Sequence, residues 1–190
     1  MTRTAIADLG YASLLFVGAG VFGLALLIAL FKLKLFAGLN VLFYRGLVLI
    51  ALGTVIVFAL SLWVAIKVHI PPSVALAAAA ISASLNLTIL IVLPVTVDRS
   101  VTVFLLGYMD QHADRTFSTT DLRGAFEDIY LGRWDQMQRR MDEQQLSGNV
   151  APTAAGYRIT PQGRSFVQFS RRVAWAFDTD PRFVSPEKLR

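Results

Sequence analysis

Three uncharged apolar stretches, residues 11–31, 46–66 and 73–97, constrain this chain more than any other feature. A helix of about 20 apolar residues crosses a hydrocarbon core of roughly 30 Å, and each stretch reaches that length. No water satisfies backbone N–H and C=O groups inside a bilayer, so stretches of this kind must be helical there. Three of them crowded into one region are poorly explained as buried helices of a soluble domain. The first exceeds the 7–15 apolar residues usual in a signal peptide, and Lys32 and Lys34 follow it where a cleavage site would need small residues. It is read as a retained span. Composition points the same way, with 55% hydrophobic and 16% charged residues against about 25% charged in soluble domains.

The positions of Lys and Arg orient the spans. The loop between the first two carries Lys32, Lys34 and Arg45, the N-terminal tail carries Arg3, the second loop Lys67, and Arg99 follows the third span. Placing the first loop and the C-terminus inside the cell collects the positive charge there and leaves the N-terminus outside. Residues 32–45 are amphiphilic and are expected along the inner membrane surface, with Phe36, Phe43 and Tyr44 dipping into the interface. Residues 1–97 hold five Lys/Arg and one acidic residue, while residues 98–190 hold thirteen and twelve. The basic balance of the chain is therefore a topology signal and gives no reason to expect nucleic-acid binding.

Within the spans there is no ionisable residue, the usual mark of an ion or substrate route. The third has Ser82, Ser84, Asn86, Thr88 and Pro94, a candidate polar seam. Its residues Ala75, Ala79 and Ala83 recur every four positions, and with Ser84, Asn86 and Thr88 they are read chiefly as a face for close helix packing. Ala19 and Gly23 form a similar small pair in the first span. Self-association through the Ala-rich face stands as an alternative use of it.

Catalytic and metal chemistry find little to work with. The chain has no cysteine and two histidines, His69 and His112, which removes disulfide frameworks, thiol nucleophiles and Cys-based metal sites. Asp110, His112 and Asp114 lie close in sequence, but at i, i+2, i+4 they do not share a helical face. Glu127 and Asp128 are adjacent and point apart on a helix. Phosphate-loop, HExxH and GxSxG patterns are missing. No catalytic residue, cofactor or metal is assigned, and an enzyme would need a site shared with a partner chain.

Charge returns abruptly at Asp98–Arg99, which marks the boundary between a transmembrane region (1–97) and a water-facing domain (98–180) with a short tail (181–190). Val101, Phe104, Leu105 and Tyr108 have helical spacing. Residues 116–120 offer helix caps ahead of Leu122, Ala125, Phe126, Ile129 and Tyr130, which share one apolar face. A third helix is expected over about 133–146, with Trp134, Met137 and Met141 inward and Gln136, Arg139, Arg140 and Glu143 outward. Ser147–Gly148–Asn149 ends it. Two short strands around the turn at 152–156 follow, and then a helix started by Thr160–Pro161. That helix is expected to bury Phe166, Phe169, Val173 and Phe177 and to show Arg164, Gln168, Arg171 and Trp175.

The short break at 131–133 and the run YRITPQGRSFVQF after the hairpin give a helix–helix–helix–strand–wing–strand–helix order that resembles a winged helix-turn-helix domain over roughly residues 100–177. The fold class expected is thus mostly α, three transmembrane helices followed by a small winged-helix-like α+β domain. The resemblance implies that the helix at 133–146 occupies the position that enters the DNA major groove in DNA-binding relatives, which makes Arg133, Gln136, Arg139 and Arg140 candidate DNA contacts. Three acidic residues share that helix, and DNA affinity rests mainly on phosphate neutralisation. The Arg164–Gln168–Arg171–Trp175 stripe suits a protein partner, through cation–π and carboxylate contacts, with a solvated or intradomain face and anionic lipid headgroups as the alternatives.

The reading that emerges is a non-catalytic accessory or adaptor subunit of a bacterial inner membrane, multi-pass, with its C-terminal domain in the cytoplasm. Its expected partners are the lipid bilayer and a larger integral membrane protein or complex, a transporter or enzyme. A membrane-tethered winged-helix transcription regulator is the alternative, and a small-solute permease subunit a second one.

Overall fold

The computed structural model describes residues 3–186, with side chains from residue 8 onward. The chain is mostly helical, with three long apolar helices and one small two-stranded sheet. It divides into two compact units, Met1–Val103 and Phe104–Arg190.

The first unit is a three-helix bundle: α1 (Arg3–Lys32), α2 (Leu42–Lys67) and α3 (Pro72–Leu90). A π turn, Ile91–Val95, carries α3 into the one-turn helix α4 (Thr96–Arg99). Segments Asp8–Lys32, Leu42–Lys67 and Pro72–Arg99 are long and apolar enough to cross a membrane. The chain therefore has the make-up of a membrane protein.

Pro94 lies inside the π turn. It has no N–H to donate and its ring crowds the preceding turn, so the ladder widens there instead of breaking. The Thr96 hydroxyl donates to the Ile91 carbonyl at 3.1 Å and so serves one backbone acceptor near the widened turn.

The second span starts at Leu42, four residues before the uncharged stretch, and so takes in Arg45. Arg45 turns back instead of reaching outward. Its Nε donates to the Leu35 carbonyl (2.9 Å), its Nη2 to that of Phe31 (3.3 Å), and the guanidinium lies 5.2 Å from the Phe31 ring centre. The first loop is thus a set of turns gathered around Arg45, with Lys34 and Phe36 at positive φ. Phe43 is half-buried and packs on the cluster of Leu27, Leu30, Leu49, Ile50 and Leu90.

Between α2 and α3 the helix stop is local and complete. His69 has φ 59°, its N–H donates to the Ile66 carbonyl, and the Ile70 N–H donates to that of Ala65. This is the paired bonding of a helix end closed by a left-handed residue, and Ile70 packs beside Ala65 and Ala75.

The bundle core follows one face of α3, where Ala75, Ala78, Ala79, Ser82, Asn86 and Leu90 are buried. Ala83 is half-buried against the Leu27–Leu90 cluster. Ser84 and Thr88 do not extend this face as expected. Both are exposed, because residues 82 and 86 stand on the opposite side of a 3.6-residue helix from 84 and 88.

The second unit runs from within α5 (Val101–Asp110) through α6 (Thr119–Ala125), a π turn over Phe126–Arg133, α7 (Gln136–Leu146), the hairpin β1 (Val150–Thr153) and β2 (Gly156–Ile159), and α8 (Pro161–Ala176) to a 3-10 turn at Pro181–Phe183. Ser118 and Asp121 form a reciprocal capping box at the start of α6. The second helix is prolonged to Arg133, so α7 begins at Gln136, three residues later than expected, after Asp135 in a left-handed conformation. Gly148, at φ 71°, closes α7, and the Gly148 and Asn149 N–H groups donate to the Gln145 and Gln144 carbonyls. The strands are antiparallel, with Val150 opposite Ile159 and Thr153 opposite Gly156. Thr160 caps α8, its hydroxyl accepting from the Gly163 N–H at 3.0 Å with Pro161 in the first turn.

The interior of this unit is thin. Among its described residues the buried apolar side chains are Ala125 and Ala174. A half-buried aromatic group takes the place of a core: Phe104 lies 5.2–6.4 Å by ring centre from Tyr108, Phe126, Tyr130 and Trp134.

Candidate functional site

The candidate contact residues of the second unit lie on the Arg-bearing face of α7 and on the two flanks of α8.

The orientation of α7 differs from the sequence expectation. Trp134 and Met137 are exposed, Met141 is half-buried, and Glu143 is buried at 6% exposure. Glu143 accepts from Arg140 Nη1 at 2.9 Å and pairs with Arg139 Nε at 3.5 Å. A carboxylate taken out of water needs such compensation, and the two arginines supply it, becoming half-buried themselves. Arg133 pairs with Asp128 at 2.8 Å. Gln136 is half-buried, and its Oε1 has no hydrogen-bond partner. The three candidate DNA-contacting arginines are thus each engaged by a carboxylate of their own unit.

The placement of α8 begins at its N-terminus. The Thr160 N–H donates to the Asn149 carbonyl and its hydroxyl to that of Gly148, and Gln162 Nε2 donates to the Ser147 carbonyl. A Cβ on Gly163 would overlap the Asn149 carbonyl oxygen, so glycine lets the helix start press against the end of α7. At the other end the tail returns over the helix. Arg171 Nε donates to the Val184 carbonyl at 3.2 Å, the Thr179 N–H donates to that of Ala174, and Ala174 is buried.

Between these two attachments the helix is open on both flanks. One shows Arg164, Gln168, Arg171 and Trp175, all exposed, with Trp175 at 87%. The other carries Phe166, Phe169, Val173 and Phe177, which the sequence pattern places in a core. In the structure they are on the surface, at 55% for Phe166, 60% for Phe169 and 75% for Phe177. Only the narrow strip of Gly163 and Ala174 is buried on this helix, so an apolar stripe has formed without anything to cover it.

In the bundle, the Ser82 hydroxyl donates to the Ala19 carbonyl at 2.9 Å. A Cβ on Gly23 would overlap Ser82 Oγ and sit 3.0 Å from Asn86 Nδ2. These polar groups therefore join α3 to α1 through close backbone approach. A groove of about 390 Å³ runs between α1 and α2, with Tyr11, Leu14, Gly18, Phe22, Leu60 and Ser61 among its lining residues and no charged residue among them.

His112 lies in the turn after α5, where its Nδ1 donates to the Tyr108 carbonyl at 2.8 Å and its ring rests on Tyr108 and Phe117. Among the described residues no group of three His, Asp or Glu side chains is placed to hold a metal ion. No family model, curated protein or solved structure matches this chain.

Proposed function

We propose that this protein is a non-catalytic adaptor subunit of a bacterial inner membrane. The positive loop charges support an N-terminus outside and a cytoplasmic C-terminal unit. The spans dock beside a larger membrane protein, and the second unit, winged-helix-like in the order of its elements, contacts that protein through α8.

The observation that carries this reading is the flank of Arg164, Gln168, Arg171 and Trp175. An indole 87% exposed beside two guanidiniums is the composition of an interface anchor, since Trp and Arg dominate the residues whose truncation weakens protein–protein contacts. The small-residue join between α1 and α3 serves packing, and the groove lining is apolar apart from Tyr11 and Ser61.

The test is purification from mild detergent, with a photo-crosslinking residue at position 175 and a control at the exposed position 165. The expected result is one stoichiometric membrane protein that crosslinks at 175 and is lost in Trp175→Ala. A clean monomer overturns the reading.

The element order also supports a membrane-tethered transcription regulator. Salt-sensitive, sequence-dependent DNA binding by the full chain that disappears in the Arg139→Ala/Arg140→Ala variant would establish it over the adaptor. The engagement of both arginines by Glu143 favours the adaptor.

A further inference from the structure

We propose that the Phe166–Phe169–Val173–Phe177 stripe of α8 is a membrane-docking surface that seats on an anionic lipid bilayer. This use is separate from the protein contact assigned to the opposite flank, and neither requires the other.

Three observations converge on lipid. The stripe recurs at i, i+3, i+7 and i+11, so it forms one continuous apolar face along the helix, and three of its four members are large exposed aromatics. The charge of α8 has a single sign: Arg164, Arg171 and Arg172, with no acidic residue anywhere in Pro161–Ala176. Finally, the chain carries its own route to a bilayer, because its second unit begins at Phe104, directly after the span ending at Arg99.

An aromatic face backed by arginines is the make-up of helices that lie in a membrane interface. The rings enter the acyl boundary while the guanidiniums stay with the headgroups. Anionic headgroups supply the negative charge that α8 itself lacks. A second copy of α8 fits less well, since it would cover the stripe but bring no negative charge to Arg164, Arg171 and Arg172. The thin interior of the unit gives the docking a structural purpose, as the bilayer covers rings that the unit does not bury.

The absence of cysteine makes the experiment direct. Single cysteines are introduced one at a time at exposed positions 166, 168, 169, 173, 175 and 177 of the full chain, spin-labelled, and reconstituted into nanodiscs. One set contains 30% phosphatidylglycerol in phosphatidylcholine, the other phosphatidylcholine alone. Accessibility to oxygen, which concentrates in the acyl region, is compared with accessibility to a water-soluble nickel chelate.

The expected result is a helical periodicity in the anionic discs. Oxygen access dominates at 166, 169, 173 and 177, nickel access dominates at 168 and 175, and the periodicity is lost in phosphatidylcholine alone. Nickel access at the stripe in both lipids overturns the proposal. So does protection from both reagents in both lipids, which would mark a protein seat or a second copy. Equal depth in the two lipids overturns the anionic assignment. The lipid comparison leaves the protein unchanged, so misfolding of a variant cannot produce the expected pattern. Crosslinking at position 175 reports separately on the adaptor reading.

Discussion

At the scale of single residues, two positions have consequences that their type alone would not suggest. Glu143 is the shared acceptor of Arg139 and Arg140, so Glu143→Ala leaves two guanidiniums without that carboxylate. The expected loss is about 1–3 kcal/mol, in line with charged hydrogen bonds elsewhere, read as a lower unfolding midpoint of the second unit. A double-mutant cycle with Arg140→Ala should show the two costs to be coupled. His69 holds a left-handed conformation at the end of α2, where glycine fits without a Cβ penalty. His69→Gly should therefore stabilise the bundle, by up to about 1 kcal/mol against any gain in unfolded-chain entropy, measured by thermal unfolding in a fixed detergent. Of these two, neither was legible beforehand. The spacing of α7 placed Glu143 outward because a carboxylate normally seeks water, and its burial depends on arginines that fold over it. By contrast, Thr160–Pro161 and Ser147–Gly148–Asn149 were legible as a helix start and stop, because their hydrogen bonds are made within a few residues of chain.

At the scale of elements, the three spans were legible from length and apolarity, yet their internal detail was not. The widened turn around Pro94 depends on the hydrogen bonds left after a donor is removed, which composition does not encode. The packing face of α3 was foreseen for Ala75, Ala79 and Asn86, but the small residues Ser84 and Thr88 lie off it. The join between α1 and α3 yields a prediction of its own. Gly23→Leu should disrupt the pairing severely, since even a Cβ there overlaps Ser82. Ser82→Ala should cost only about 0.6 kcal/mol, the average for interhelical hydrogen bonds in membranes. Retention of a folded fraction in detergent separates the two. The start of α6 responds to acid. Hydrogen bonds from the Ser118 side chain and then its backbone hold the Asp121 carboxyl below its ordinary value. Its contribution is therefore fully present above about pH 3.9, the unfolded value, and fades as pH falls through the lower folded one. A side-chain carboxyl NMR titration should place the Asp121 midpoint below that of an unfolded aspartate, and Ser118→Ala should raise it. For α8, the apolar period was legible but its burial was not, because a periodic stripe states only that something apolar will cover it, and here the unit does not.

At the scale of the whole molecule, the two units should differ sharply in how tightly they hold their backbone. The first packs around a buried face of α3, whereas the second rests on two buried alanines and a half-covered aromatic group. Local opening tracks the amount of buried apolar contact. Hydrogen exchange of the full chain in an uncharged detergent should therefore show slow amides in α2 and α3 and fast ones across α7, the hairpin and α8. Comparable protection in both regions would contradict this picture. The sparse interior of the second unit also bears on how its stability can be measured at all. A surfactant that coats its rings acts as a ligand of the native form, and ligands of the native form shift apparent stability by mass action. Its melting temperature is then a joint property of polypeptide and amphiphile, and ranking variants has meaning only when the amphiphile and its concentration are held constant.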